Sequence, residues 1–276
     1  MFPFDNELDL LEIRLETLDP FVDFFVVGES VESFSGIEKE LHFESNKEKF
    51  SKFSSKIIHS KFTERLNCSS FERDVAQKDF IMRTLAEHCV DSDLLILSDV
   101  DEIPRPSSVN FALDFSSDGG VAHFAQDVYF YYLNFLETEG KLLSITGEYP
   151  DIRKPKWLGS RSTNFQTLRE SSISEIRSSR YVANGLRIDS GGWHFSYCGS
   201  HDGADVETRV KRKFDHTAHR ELVSDEAYKR AGKRISKGRD PFGRRGPRFK
   251  KTEIQMSHFP EVVVTNQERY ANMILP

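Results

Sequence analysis

The chain has 276 residues, with 38 Lys+Arg against 44 Asp+Glu and a net charge of -6. Its 38% hydrophobic and 12% aromatic content is enough for the core of one large α/β domain. No apolar run approaches the ~20 residues of a membrane span, and Met1 to Glu7 has neither a basic n-region nor an apolar h-region. Three scattered cysteines, Cys68, Cys89 and Cys198, exclude a disulfide framework or zinc motif and suit a reducing compartment, so a soluble, cytoplasmic protein is expected.

Leu8, Leu11, Leu15 and Leu18 recur at helical spacing, which predicts an amphipathic helix over 5–18 capped by Asp5 or Asn6 and ended by Asp19-Pro20. Phe21 to Val27 reads as a strand that ends at Gly28-Glu29-Ser30. A loop over 33–39, a short helix over 46–53 and a short strand over 56–59 follow. The longest clear helix is 71–88, with Phe71, Val75, Met82 and Leu85 as its buried stripe. Arg73, Gln77 and Lys78 lie elsewhere on it, placed to reach the edge of a site.

Leu94 to Leu97 is then a buried strand, and it runs into Ser98-Asp99-Val100-Asp101-Glu102-Ile103-Pro104. Ligands of open α/β sheets bind just past such strand ends. Alternate residues of extended chain point the same way, so Asp99 and Asp101 can converge. Carboxylates that repel one another suit a hard ion such as Mg²⁺ or Mn²⁺ held against a substrate diphosphate. The competing reading is a solvated acidic turn. The alternation of helix and strand predicts a parallel sheet with right-handed crossovers. Neither GxGxxG nor GxxxxGK[ST] occurs, which argues against dinucleotide redox chemistry and P-loop phosphate transfer.

A short helix over 106–113 and a long aromatic strand over 121–136, bent near Asp127, come next. Residues 137–155 are loop-rich, and 157–168 holds another strand. Gly191-Gly192 lets the backbone approach a ligand closely. His194, between Trp193 and Phe195, is either a hydrogen-bonded core histidine or a metal ligand. Asp202 and Asp205 precede a helix over 206–216, and 261–264 reads as a terminal strand. Between Arg209 and Lys251 there are 16 Lys+Arg against 5 Asp+Glu, a basic segment suited to phosphates. That segment leaves a nucleic-acid-binding protein open, and the acidic turn leaves a metal-dependent phosphohydrolase or nuclease open.

Four ordered stretches carry a resemblance: Asn6-Glu7-Leu8-Asp9-Leu10-Leu11-Glu12-Ile13-Arg14, Val26-Val27-Gly28-Glu29-Ser30, the stretch from Ser98 to Pro104, and Gly192-Trp193-His194-Phe195-Ser196. The set resembles glycosyltransferase family 17, whose animal members are β-1,4-mannosyl-glycoprotein 4-β-N-acetylglucosaminyltransferases. The resemblance implies a single GT-A-type α/β domain over 1–276, with a Rossmann-like mixed sheet flanked by helices. Residues 1–113 would form the nucleotide-sugar half and 114–276 the acceptor half. It implies UDP-GlcNAc as donor, a saccharide or glycoconjugate acceptor, inversion at the anomeric carbon, and no nucleic-acid partner. By position, Asp99, Asp101 and His194 are the expected ligands of Mn²⁺ or Mg²⁺. Glu29, Ser30, Arg73, Gln77, Asp99 and Arg239 are the expected donor contacts, with Arg244 as a further basic group near the leaving diphosphate. Asp202 is the expected base and Asp205 its rival.

Overall fold

The computed structural model describes residues 1–138, 157–178, 185–218, 220, 223–244 and 247–276. Most of the loop expected over 137–155 lies outside these residues. Strands β1 (Phe2–Phe4), β2 (Phe25–Ser30) and β3 (Ile57–Phe62) pair in parallel, as the alternating pattern predicts. The Met1 nitrogen donates to Ile96 O at 2.7 Å, and Ser98 N donates to Met1 O at 3.3 Å. These bonds set β4 (Leu94–Leu97) beside β1.

Beyond β4 the sheet turns mixed. Strand β4 runs antiparallel to β8 (Trp157–Asn164), β8 antiparallel to β6 (Ala122–Phe130), and β6 parallel to β9 (Leu186–Ser196). Short β5 (Glu102–Pro104) lies antiparallel to β9. The predicted long strand over 121–136 breaks at Tyr131, where φ is +70°. It resumes as β7 (Phe135–Glu137), which pairs antiparallel with both β6 and β10 (Phe249–Lys251). A connection this short has no room for the crossover that a parallel pair requires. The result is an α/β architecture with a Rossmann-like mixed sheet, as the family resemblance implies.

Helix α1 (Leu8–Leu18) lies between two parts of the core. Leu8, Leu11, Leu15 and Leu18 pack against Phe2, Phe4, Phe25 and Val27. Leu10 and Ile13 face Trp193, Phe195, Tyr270 and Met273. All six are 5% exposed or less, so each stabilises the fold by roughly 1.5–3 kcal/mol. The expected cap is absent: Glu7 holds the N-cap position without a side-chain bond, and Asp5 is engaged elsewhere. Short α2 (His42–Asn46) continues into 3₁₀ turns over 47–56.

Helix α3 (Ser70–His88) opens on a Ser69–Glu72 capping box. Its buried stripe is Arg73, Gln77, Ile81 and Leu85, whereas Phe71 is 63% exposed. The predicted stripe was out of register because two buried positions are polar and find partners inside the fold. Gly191 and Gly192 serve strand packing rather than ligand approach. A Cβ on Gly191 would stand 2.5 Å from Ala125 N, and one on Gly192, at φ +140°, 2.1 Å from Ile103 O. The predicted strand over 261–264 is helix α9 (Glu261–Thr265), started by Pro260 at its N-cap. The remaining helices are α4 (Pro106–Ser116), α5 (Phe165–Glu170), α6 (Ile173–Ser178), α7 (Val206–His216) and α8 (Asp225–Ile235). Among the described residues no helix is long and apolar enough to cross a membrane.

Candidate active site

The turn after β4 is braced from below by a buried cation. Arg14 of α1 is 2% exposed, and its guanidinium donates to Asp99 O at 3.1 Å, Glu102 O at 2.7 Å and Ser98 Oγ at 2.5 Å. Burial lowers its pKa to about 10, against the pull of Glu102, Asp99 and Asp101, so it stays charged at neutral pH. Arg14→Met would leave three acceptors without this donor. The expected outcome is a loss of about 3 kcal/mol in unfolding free energy, read as a lower urea midpoint at unchanged slope.

The three acids of the turn do different things. Glu102 is fully buried; its carboxylate accepts from Asp99 N at 2.8 Å, Trp157 Nε1 at 2.7 Å and Arg177 Nη2 at 2.9 Å. It therefore fixes the turn. Asp99 is half-buried and gives both oxygens to Arg177 of α6, at 2.8 and 3.0 Å. Burial opposes its charge, but Arg177 and Lys78 hold its carboxyl below the usual range. Asp101 is buried, with its Oδ2 2.9 Å from Lys213 Nζ of α7 and 3.7 Å from His194 Nε2 of β9. Burial opposes its charge too, and Lys213 and His194 overcome it and hold the carboxyl well below its ordinary value. Lys213 is raised in turn by Asp101 and Glu7, against burial.

Asp99, Asp101, Glu102, His194, Trp157 and Lys213 line one cavity of about 440 Å³, a volume ordinary for a small-molecule site. Two further groups line it that the sequence did not mark as chemical. His216, one helical turn after Lys213, holds Asp5 Oδ2 through Nδ1 at 2.6 Å. Lys39 stands 3.6 Å from the other oxygen of Asp5. Burial disfavours the His216 cation, yet the bond to Asp5 raises its pKa above 6.5.

The expected three-ligand metal set is not assembled. Among the described residues no three His, Cys, Asp or Glu side chains are arranged to hold an ion. Both Asp99 oxygens are taken by Arg177, and the Asp101 oxygen that faces His194 is taken by Lys213. As placed, Arg177 and Lys213 occupy the carboxylate oxygens that an ion would need, so these residues do not fit a bound metal.

Other expected contacts are placed differently. Glu29 is buried away from the cavity, where it accepts from Phe43 N at 2.7 Å and meets His59 Nε2 at 3.1 Å. Ser30 Oγ accepts from Glu32 N at 3.2 Å. Arg73 is spent on Glu32 at 2.9 Å and on the carbonyls of Phe34, Leu66 and Cys68. These three brace the loop after β2 and are outside the cavity lining. Gln77 does line the cavity, and its amide donates to Glu32 O at 3.0 Å. Asp202 pairs with Arg212 at 3.0 Å and Asp205 caps α7 through Thr208 N at 3.1 Å; neither lines the cavity. Arg239 lines a separate basic cavity, and Arg244 lines both.

No curated protein matches. Among solved structures, S. aureus TarS 1–349 aligns over 71% of this chain at 9% identity and a TM-score of 0.40, and this chain covers 58% of that 1–349 chain. Galactosyltransferase LgtC, solved with donor and acceptor sugar analogs, aligns over 99% of this chain and 93% of its own at 11% identity and a TM-score of 0.36. The sequence pattern of glycosyltransferase family 17 matches residues 2–276, nearly the whole length, and the chain belongs to that family of sugar-transferring enzymes.

Proposed function

We propose that the protein moves GlcNAc from UDP-GlcNAc to a hydroxyl of a saccharide acceptor, with inversion, in the cavity that holds Asp101, Lys213 and the Asp5–His216 pair. One observation carries this reading: a cation pinned by a buried carboxylate and an imidazole pinned by a half-buried one open into the same cavity. Inversion needs one attack from the face opposite the leaving group. The acceptor oxygen bonds to the anomeric carbon as the bond to the phosphate oxygen breaks. The acceptor's proton passes to His216 Nε2, whose ring Asp5 orients through Nδ1. Charge that grows on the departing diphosphate is met by Lys213, with Lys78 and Lys39 on the same cavity wall. This assignment moves the base from Asp202 and Asp205, which stand off the cavity, to a residue that lines it.

Mn²⁺ or Mg²⁺, the ions that the resemblance implies, would compete here with Arg177 for Asp99. The test is incubation with a panel of nucleotide sugars and saccharides, with Mn²⁺ or with EDTA, following UDP release. UDP-GlcNAc is expected to be turned over faster than other donors, and release is expected to persist in EDTA. Release abolished by EDTA and restored by Mn²⁺ would transfer the charge role from Lys213 and Arg177 to the ion. No release from any nucleotide sugar would overturn the proposal.

A further inference from the structure

Beside α8 lies a second cavity, of about 700 Å³, whose lining is almost wholly cationic. Arg230, Lys233, Arg234 and Lys237 recur along α8 and its C-terminal end at helical spacing, and all four line it. Arg239, Arg244 and Arg248 close it from the loop that follows. The single carboxylate among its described residues, Asp240, is 1% exposed and already spent: it accepts from Arg244 N at 3.0 Å and Arg244 Nε at 2.9 Å. Arg230 pairs with Glu226, and Arg234 donates to Pro241 O at 2.7 Å. Among the described residues, Lys233, Lys237, Arg239 and Arg248 have no carboxylate partner.

Cations at the end of a helix are favoured by its dipole, which accounts for one or two of these charges. It does not account for seven on one concave surface, a concentration of positive charge that favours entry of an anion. We propose that this cavity binds the phosphate groups of a phosphate-bearing saccharide acceptor; the assignment rests on the transfer reading above and deepens it. Guanidinium forks match phosphate oxygens bidentately. Among the described residues the lining apart from Gly243, Pro247 and Asp240 is all Arg and Lys, with no aromatic ring on which a nucleobase could stack. Arg244 borders both cavities. A phosphate held here therefore leaves the attached sugar to reach the cavity of His216.

The test uses the whole chain and inorganic tripolyphosphate, titrated calorimetrically at about 150 mM salt with saturating UDP present. Wild type is expected to bind, since the donor site is filled and the basic cavity is not. Lys233→Glu/Lys237→Glu is expected to bind about tenfold more weakly or worse. Lys47→Glu/Lys49→Glu, the same change in charge on the 3₁₀ segment outside the cavity, is expected to bind as wild type does. Equal loss in both double variants would reduce the effect to net charge and overturn the proposal, as would binding abolished by UDP. Vesicles containing phosphatidylglycerol separate the sources of phosphate. Capture on vesicles that tripolyphosphate reverses supports a phosphate site reached at a lipid surface, and capture that it does not reverse overturns the assignment. A single-stranded oligonucleotide that displaces tripolyphosphate at far lower concentration would hand the cavity to nucleic acid instead. UDP release by wild type is scored separately. Its absence sinks the transfer reading, while tripolyphosphate binding still reports on this cavity.

Discussion

Asp101→Asn is expected to lower kcat/KM for transfer by about 10²–10³ while the protein stays folded. The substitution keeps the shape of the side chain, and the backbone bond from Phe195 N to Asp101 O at 2.8 Å is untouched. What disappears is the charge that holds Lys213 at 2.9 Å and draws His194 to 3.7 Å. Glu7, at 3.4 Å from Lys213, is then the nearer acid and pulls the ammonium toward itself. A lysine displaced by about an ångström no longer meets the charge of the leaving diphosphate. Lys213→Met is expected to raise the donor KM and lower kcat together. The double variant is expected to be no worse than the poorer single one, because both changes break one interaction. Melting by circular dichroism controls for folding, and an Asp101→Asn enzyme within about threefold of wild type would remove this residue from the mechanism.

His216→Gln is expected to lower kcat by about 10²–10⁴ with donor affinity unchanged, the signature of a lost base. The pH profile gives the sharper test. Asp5 lies 2.6 Å from the imidazole and raises its pKa above 6.5, against burial and against Lys39. Only the neutral ring accepts a proton, so activity is expected to rise with pH through a midpoint above 6.5. Asp5→Asn removes the raising charge, and the rise is then expected to move to lower pH even if kcat falls. The same pair affects stability with the opposite sense. The His216 part of its contribution is lost as pH climbs from 6.5 through the higher folded value, and the Asp5 part, whose pKa the pair lowers against burial, is lost as pH falls from 3.8 through the lower folded value. A profile unmoved by Asp5→Asn would show that the imidazole does not limit turnover.

How much of this was legible depended on whether the signal was local. The buried strand Leu94–Leu97 is contiguous, and its apolar run plus Pro104 was enough to place both acids just past its end; the expected period-two convergence fails, because Glu102 N donates to Asp99 O at 3.1 Å and the acids stand in a turn with separate partners. His194 was marked by its aromatic neighbours, and β9 brings it to the same cavity. Arg177, Lys213, His216 and Asp5 were missed for a common reason. They come from three separate stretches, and each role exists only where two of them meet. Lys213 and His216 stood in the sequence as members of a basic run, and Asp5 as a helix cap. The spacing of three between Lys213 and His216 was the one available hint that both lie on a single helical face. Glu29 and Arg73 erred the other way: residues suited to ligands turned out to satisfy buried backbone groups, a use that composition cannot distinguish from binding. The register of α3 failed because a stripe was sought among apolar residues alone.

Helix α7 carries Lys213 and His216 three residues apart, a rise of about 4.5 Å along one rigid rod. In the transfer proposed above, the group that would receive the leaving diphosphate and the group that would receive the acceptor's proton are thus fixed to a common ruler. Any tilt or slide of that rod misplaces both at once. A lineage that changes its acceptor is therefore free to remodel the walls around this helix but not the helix itself, and an engineer who wishes to retarget the enzyme has the same latitude.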